Sequence, residues 1–175
     1  FDVVTQVEAI ENYGDAISGD YQRWTIASAI LETAERFTNN EGEPALQQFL
    51  LLTGALKSLA HQSHDPSLIL DAYLLRSLSI AGYAPSMTIC SRCEAPGPHK
   101  YFSLVGGGSV CLACRPSASA TPALETLQLM SDLVSGDWQS AEKSEVKNRR
   151  EASGLIAAYL QWHLERNLRS LPMVE

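Results

Sequence analysis

Four cysteines carry the most specific chemistry in this 175-residue chain. Cys90-x-x-Cys93 and Cys111-x-x-Cys114 form two pairs separated by 17 residues. Two residues between cysteines let a tight turn aim both sulfurs at one ion, and a hairpin can return the second pair to complete a tetrahedron. Thiolates suit Zn²⁺, which is borderline-soft and imposes no geometry of its own. A four-thiolate zinc site is closed and leaves no position for a substrate or an activated water, so it is expected to be structural. Iron in a rubredoxin-like site uses the same ligands and would colour the protein. Two disulfides would require an oxidising compartment, for which the sequence carries no signal.

The remaining candidates for catalysis are weak. His99 lies in Gly97-Pro98-His99, beside the cysteines, where a hydrogen-bonding or packing role is expected. His61 and His64 fall at the end of a predicted helix, and His163 lies within another. Gly106–Gly108 has no following Lys-Ser/Thr and opens no helix, so it is not a phosphate loop. No serine or cysteine nucleophile has a recognisable base, and no carboxylate pair stands out. The chain is expected to be no enzyme and to take no small-molecule substrate.

Composition sets further bounds. Net charge is −7, hydrophobic residues make up 45%, and Gly and Pro number 11 and 8, which excludes a low-complexity chain. Residues 1–85 hold 4 basic and 11 acidic side chains, a poor phosphate-binding surface. Residues 86–122 carry Arg92, Lys100 and Arg115 against Glu94, and four thiolates around one Zn²⁺ would cancel that excess. The longest apolar runs, such as Phe49–Leu52, are too short to span a bilayer. With no secretory signal in view, the chain is expected to be soluble and intracellular, with no membrane partner.

The elements that must hold the cysteines are helical. Tyr21, Trp24, Ala27, Ile30, Leu31, Ala34 and Phe37 recur at helical steps behind Ser18 or Asp20 as N-cap. Pro44 suits the first turn of a second helix through Phe49, Leu52, Leu56 and Leu59, with Leu50 and Leu51 widening its apolar face. Asp65-Pro66 starts a third through Leu70, Tyr73, Leu74 and Leu78, stopped at Gly82. Tyr101–Val105 and Ser109–Cys111 read as two short strands. Thr121-Pro122 is expected to cap a fourth helix through Leu124, Leu127, Met130 and Val134, closed by Gly136. The charged stretch Glu142–Glu151 then leads into a final helix through Leu155, Tyr159, Leu164 and Leu168 to about Leu171. The predicted fold is mainly α: a helical bundle with an inserted four-cysteine zinc ribbon built on a short β-hairpin. Residues 9–86 and 117–175 make the two parts of the helical domain, and residues 87–116 the ribbon. Metal removal is expected to unfold the ribbon and leave the bundle helical.

Two surface constellations could bind partners. Tyr159, Trp162, Arg166 and Arg169 follow Leu155 along one helix face, where aromatic rings and two guanidinium groups could hold an apolar segment and pair its carboxylate. Lys143, Lys147 and Arg150 share a face and could touch phosphates, although Glu142, Glu145 and Glu151 are interleaved. Ordinary helix-surface roles compete with both.

With these residues in view, the chain resembles the RecO family of bacterial recombination mediators in its actinobacterial, zinc-bearing form. The resemblance runs over essentially the whole chain. It rests on Asp2–Glu8 (DVVTQVE), Leu31–Arg36 (LETAER), Asp71–Arg76 (DAYLLR), both cysteine pairs, Gly97–Ser103 (GPHKYFS), Cys114-Arg115-Pro116, Gly136-Asp137-Trp138 and Gln161–Pro172 (QWHLERNLRSLP). It implies a non-enzymatic protein of DNA repair and recombination that binds DNA. Such a protein works with RecR to load RecA onto strands coated by single-strand-binding protein, whose acidic, Phe-terminated tail docks on the helical domain. It also implies an N-terminal OB-fold, the main DNA-binding part. Residues 1–8 would be its last strand or a linker, and the chain the C-terminal part of a longer protein that lacks most of that fold. Glu94 and Arg115 stand where zinc knuckles commonly have glycine. A zinc-ribbon adaptor or transcription-associated binding module is the alternative function.

Overall fold

The computed structural model describes residues 3, 5–9, 11–38 and 45–170. Within them the chain forms α1 (Tyr13–Ser18), α2 (Tyr21–Phe37), α3 (Leu46–His61) and α4 (Pro66–Ile80). A two-stranded sheet follows, β1 (Tyr101–Ser103) and β2 (Gly108–Val110), and then α5 (Leu124–Ser135), α6 (Trp138–Ala141) and α7 (Val146–Ser170). This is the predicted helical architecture with a hairpin and a four-cysteine cluster inserted in it.

Helix α4 is the axis of the bundle and packs against α2, α3, α5 and α7. Leu68, Ile69, Ala72, Leu75 and Leu78 are all buried, so α4 is apolar nearly all round, as a helix enclosed by others must be. Its start was legible in the sequence: the Asp65 carboxylate accepts from Ser67 N at 2.9 Å, and Pro66 occupies the first turn. Asp20 caps α2 in the same way, accepting from Arg23 N at 2.8 Å.

Other expectations need correction. On α2 the buried arc runs through Ile26, Ala27, Ile30 and Ala34, whereas Tyr21 (86% exposed), Trp24 and Leu31 are exposed. At about 100° per residue, Trp24 and Leu31 lie roughly 100° round the axis from Ile30, so the expected stripe merged two faces of which one meets α4. Phe49 and Leu50 of α3 are likewise exposed, while Ala55 and Leu59 are buried. The start of α5 is not capped by Thr121. Its N-cap is Ala123, and the Glu151 carboxylate of α7 accepts from Ala123 N at 3.0 Å and from the Thr126 hydroxyl. His64 lies beyond α3, in the connection to α4. Of the strand expected over Asp2–Glu8, residues 3 and 5–8 have no regular structure, and residues 2 and 4 lie outside the described residues. Pro44 also lies outside the described residues. No described helix is long and apolar enough to cross a membrane.

The hairpin is antiparallel, with Tyr101 opposite Val110 and Ser103 opposite Gly108. Its strands are shorter than predicted because the chain turns at Leu104–Gly107, where the Ser103 hydroxyl accepts from Gly106 N at 2.9 Å. Gly108 has φ +123, and a Cβ there would sit 2.3 Å from the Ser86 carbonyl oxygen, so no side chain fits. The hairpin is not a free appendage. Phe102, 1% exposed, meets the ring of Tyr159 on α7 edge-on at 5.9 Å, and both belong to the bundle core.

One buried acid makes the core sensitive to pH. Asp71 on α4 is 3% exposed and accepts from the Ser153 hydroxyl on α7 at 2.6 Å. Burial pushes its carboxyl up to about 7, against the Ser153 hydrogen bond. The folded chain therefore holds this proton where the unfolded chain has lost it, and stability falls as pH rises from about 4 through about 7. At about 1.4 kcal/mol per pKa unit the fall is about 4 kcal/mol. Asp71→Asn should flatten that part of the profile, so urea unfolding of both proteins from pH 5 to 8 is the check; an unchanged slope in the variant would exclude Asp71 as its source.

Candidate metal centre

Two turns bring the cysteines together. In the first, Glu94 N donates to the Cys90 carbonyl at 2.9 Å, and Cys90 N donates to the Ala95 carbonyl at 2.9 Å. Glu94 takes the left-handed conformation (φ 59) at the position where glycine is common, so the turn forms without glycine. In the second, Cys114 N donates to the Cys111 carbonyl at 3.2 Å. The turns are tied to the hairpin by Ser91 N donating to the Ser109 carbonyl at 2.9 Å.

The result is a cluster in which the four sulfurs lie within 4.8 Å of one another. The Cys93–Cys111 Sγ separation is 3.8 Å. A tetrahedron with metal–sulfur bonds of about 2.3 Å has edges of ~3.8 Å, so the spacing fits one tetrahedral thiolate-bound ion. All four cysteines are free thiols. Cys111 N donates to Cys90 Sγ at 3.4 Å, and this bond leads in lowering the Cys90 thiol to about 6. Cys114 is pushed the other way, to about 12, first by its hydrogen bond with Cys111. Crowded sulfurs resist a second and third negative charge, and a cation among them removes that resistance.

His99 is not among the ligands. Its Nε2 lies 2.9 Å from the Ala95 carbonyl and braces the first turn. Arg115 stacks over Tyr101 at 4.4 Å, so one of the three cations of this segment is engaged by an aromatic ring.

The expected partner faces fare differently. Tyr159 is 2% exposed and packs between Phe102 and His163, so it belongs to the core and offers no contact surface. Its hydroxyl is pushed up to about 12 by burial. Trp162 is half-buried, and the side chains of Arg166 and Arg169 lie outside the described residues. Lys143, Lys147 and Arg150 are exposed, with Lys147 paired to Glu145 at 2.9 Å. Arg149, which sequence reasoning passed over, turns inward to Asp65 at 3.3 Å and to the Glu142 carbonyl at 2.6 Å.

A second site went unseen in the sequence. A cleft of about 450 Å³ between α3, α4 and α6 carries Lys57, His61, His64 and Arg76 around Leu51 and Trp138, with no carboxylate in its lining. His64 stacks on Trp138 at 4.0 Å and meets Glu142 at 2.7 Å; Lys57 meets Glu11 at 3.3 Å. Arg76 donates to the Leu133 carbonyl at 2.8 Å and has no carboxylate partner among the described residues. Helical spacing could not expose this set, because α3, α4 and α6 meet there only in the folded chain.

Comparison with known proteins follows the same lines. Residues 18–172 match the family described as "Recombination protein O C terminal". The chain is 55% identical over 171 residues to the DNA repair protein RecO of Streptomyces avermitilis, covering 98% of this chain and 69% of that one. It is 53% identical over 174 residues to the DNA repair protein RecO of Thermobifida fusca, covering 99% and 72%. For the Frankia casuarinae protein of that name the identity is 50%, with 99% and 72% covered. No solved structure gives a significant match.

Proposed function

The chain belongs to the RecO family of DNA repair proteins, and on that premise we propose that it is a non-enzymatic, cytoplasmic and nucleoid-associated recombination mediator whose metal is structural Zn²⁺. The observation that carries the metal assignment is the cluster of four sulfurs at tetrahedral spacing. Cys90, Cys93, Cys111 and Cys114 hold the ion, which supplies a fourfold tie between the two turns and no open coordination position. Its work is to fix the hairpin that inserts Phe102 beside Tyr159. DNA falls mainly to the OB-fold that the family resemblance implies, since the described part is acidic and Lys143, Lys147 and Arg150 offer at most auxiliary phosphate contacts. RecR is the partner in loading RecA.

Docking of the single-strand-binding protein tail is placed in the cleft of Arg76, Lys57, His61 and His64. Arg76 is a partly buried cation whose charge no carboxylate among the described residues answers, and burial lowers its pKa, so an incoming carboxylate would relieve it. Leu51 and Trp138 offer apolar contact to an aromatic side chain. The competing site is the α7 surface of Trp162 with Arg166 and Arg169. Titrating a labelled, Phe-terminated acidic tail peptide into the metal-loaded chain should give saturable binding that weakens with salt. Arg76→Met, which keeps apolar contact with Trp138, should weaken it about tenfold. Loss of binding in the Arg166→Ala, Arg169→Ala double variant alone would move the site to α7.

A further inference from the structure

Another cleft, of about 740 Å³, lies where the first cysteine turn meets α5 and the start of α7. One wall comes from Met87, Thr88, Gly97 and Pro98, residues that lead into and out of the metal-binding turn. The opposite wall is α5, with Leu127 at its floor (4% exposed) and Leu124 standing at its mouth (49% exposed).

Asn148 of α7 completes the floor and is 5% exposed. Its carboxamide makes no hydrogen bond among the described residues. Its polar atoms are not among those sealed from solvent, so its two N–H donors and its carbonyl acceptor are open to a group that enters the cleft. The mouth is negative: Glu125, Asp132 and Glu145 line it against Lys143. Glu145 is answered by Lys147, and Asp132 accepts from Gln128 at 2.8 Å without losing its charge, so even with Lys143 opposite, the lining keeps a net negative edge at Glu125 and Asp132.

We propose that this cleft is the docking groove for an extended segment of a partner protein in which an aliphatic side chain is flanked by lysine or arginine. The Asn148 carboxamide donates to and accepts from one peptide unit of the segment, which satisfies it on both sides. The aliphatic side chain covers Leu124 and Leu127, and the flanking cations sit at Glu125 and Asp132. The charge preference is opposite to that of the Arg76 cleft, so the two grooves take different ligands. Because one wall is built by the metal-binding segment, occupancy also depends on the metal.

The test uses the metal-loaded chain labelled with ¹⁵N and two blocked pentapeptides, Lys-Leu-Thr-Leu-Lys and Glu-Leu-Thr-Leu-Glu. The basic peptide should shift the Asn148 side-chain amide resonances saturably and bind at least tenfold more tightly than the acidic one. Asn148→Ala and Leu124→Ser should each weaken it about five- to tenfold. Leu124 is half exposed, so its variant tests the groove with the fold intact. Shifts absent from Asn148, equal affinity for the two peptides, or full affinity in both variants would overturn the proposal.

Discussion

Cys90→Ser is expected to abolish retention of the metal. Cys90 is fully buried, and its sulfur is the one that accepts the Cys111 N–H, so it sits at the junction of the two turns. A serine hydroxyl is hard, shorter in reach and uncharged at neutral pH, and three thiolates are left to hold an ion that structural sites bind with about 10–16 kcal/mol. Elemental analysis after gel filtration should find about one zinc per chain in the parent and almost none in the variant. The same amount of zinc in both would remove Cys90 from the ligand set, and iron with a visible absorption band would replace the zinc assignment. The consequences extend past the ribbon. Its expected independence from the bundle does not fit a hairpin whose Phe102 lies in the common core. Metal loss should leave most helical circular dichroism at low temperature while lowering the melting temperature of the helices.

Phe102→Ala is the complementary experiment, since it breaks the interlock and spares the ligands. The ring is 1% exposed and edge-on to Tyr159, and Ser109, opposite it in the hairpin, is also buried. Truncation removes the transfer free energy of the ring, leaves a cavity and ends an aromatic pair, a loss of about 4 kcal/mol. For a chain of this size that is a fall of roughly 10 °C in melting temperature. Urea unfolding followed by helical circular dichroism, with zinc content measured alongside, separates the cases. An unchanged midpoint with metal retained would mean that the ribbon and bundle are energetically separate.

Local chemistry made a good part of this protein legible before folding. Asp20 and Asp65-Pro66 mark helix starts because a cap is satisfied by the next few backbone N–H groups, within the same segment. The two Cys-x-x-Cys turns and the hairpin between them are likewise short-range, and a motif that binds one ion carries its geometry in its spacing. Family membership followed from the same segments. Faces and grooves were another matter. Periodicity says that Trp24, Ile30 and Leu31 lie on one broad side of α2, but only the position of α4 decides that Ile30 is buried and Trp24 is not. Tyr159 looked like a docking residue from its neighbours in sequence, and the hairpin from 57 positions away, carrying Phe102, makes it core. Glu151 caps a helix it does not belong to, and Arg76 and Asn148 acquire meaning only from the clefts they line. The physical reason is one of range: caps, turns and metal spacing are settled within a few residues, whereas burial, charge compensation and grooves are sums over elements that meet only when the chain has folded.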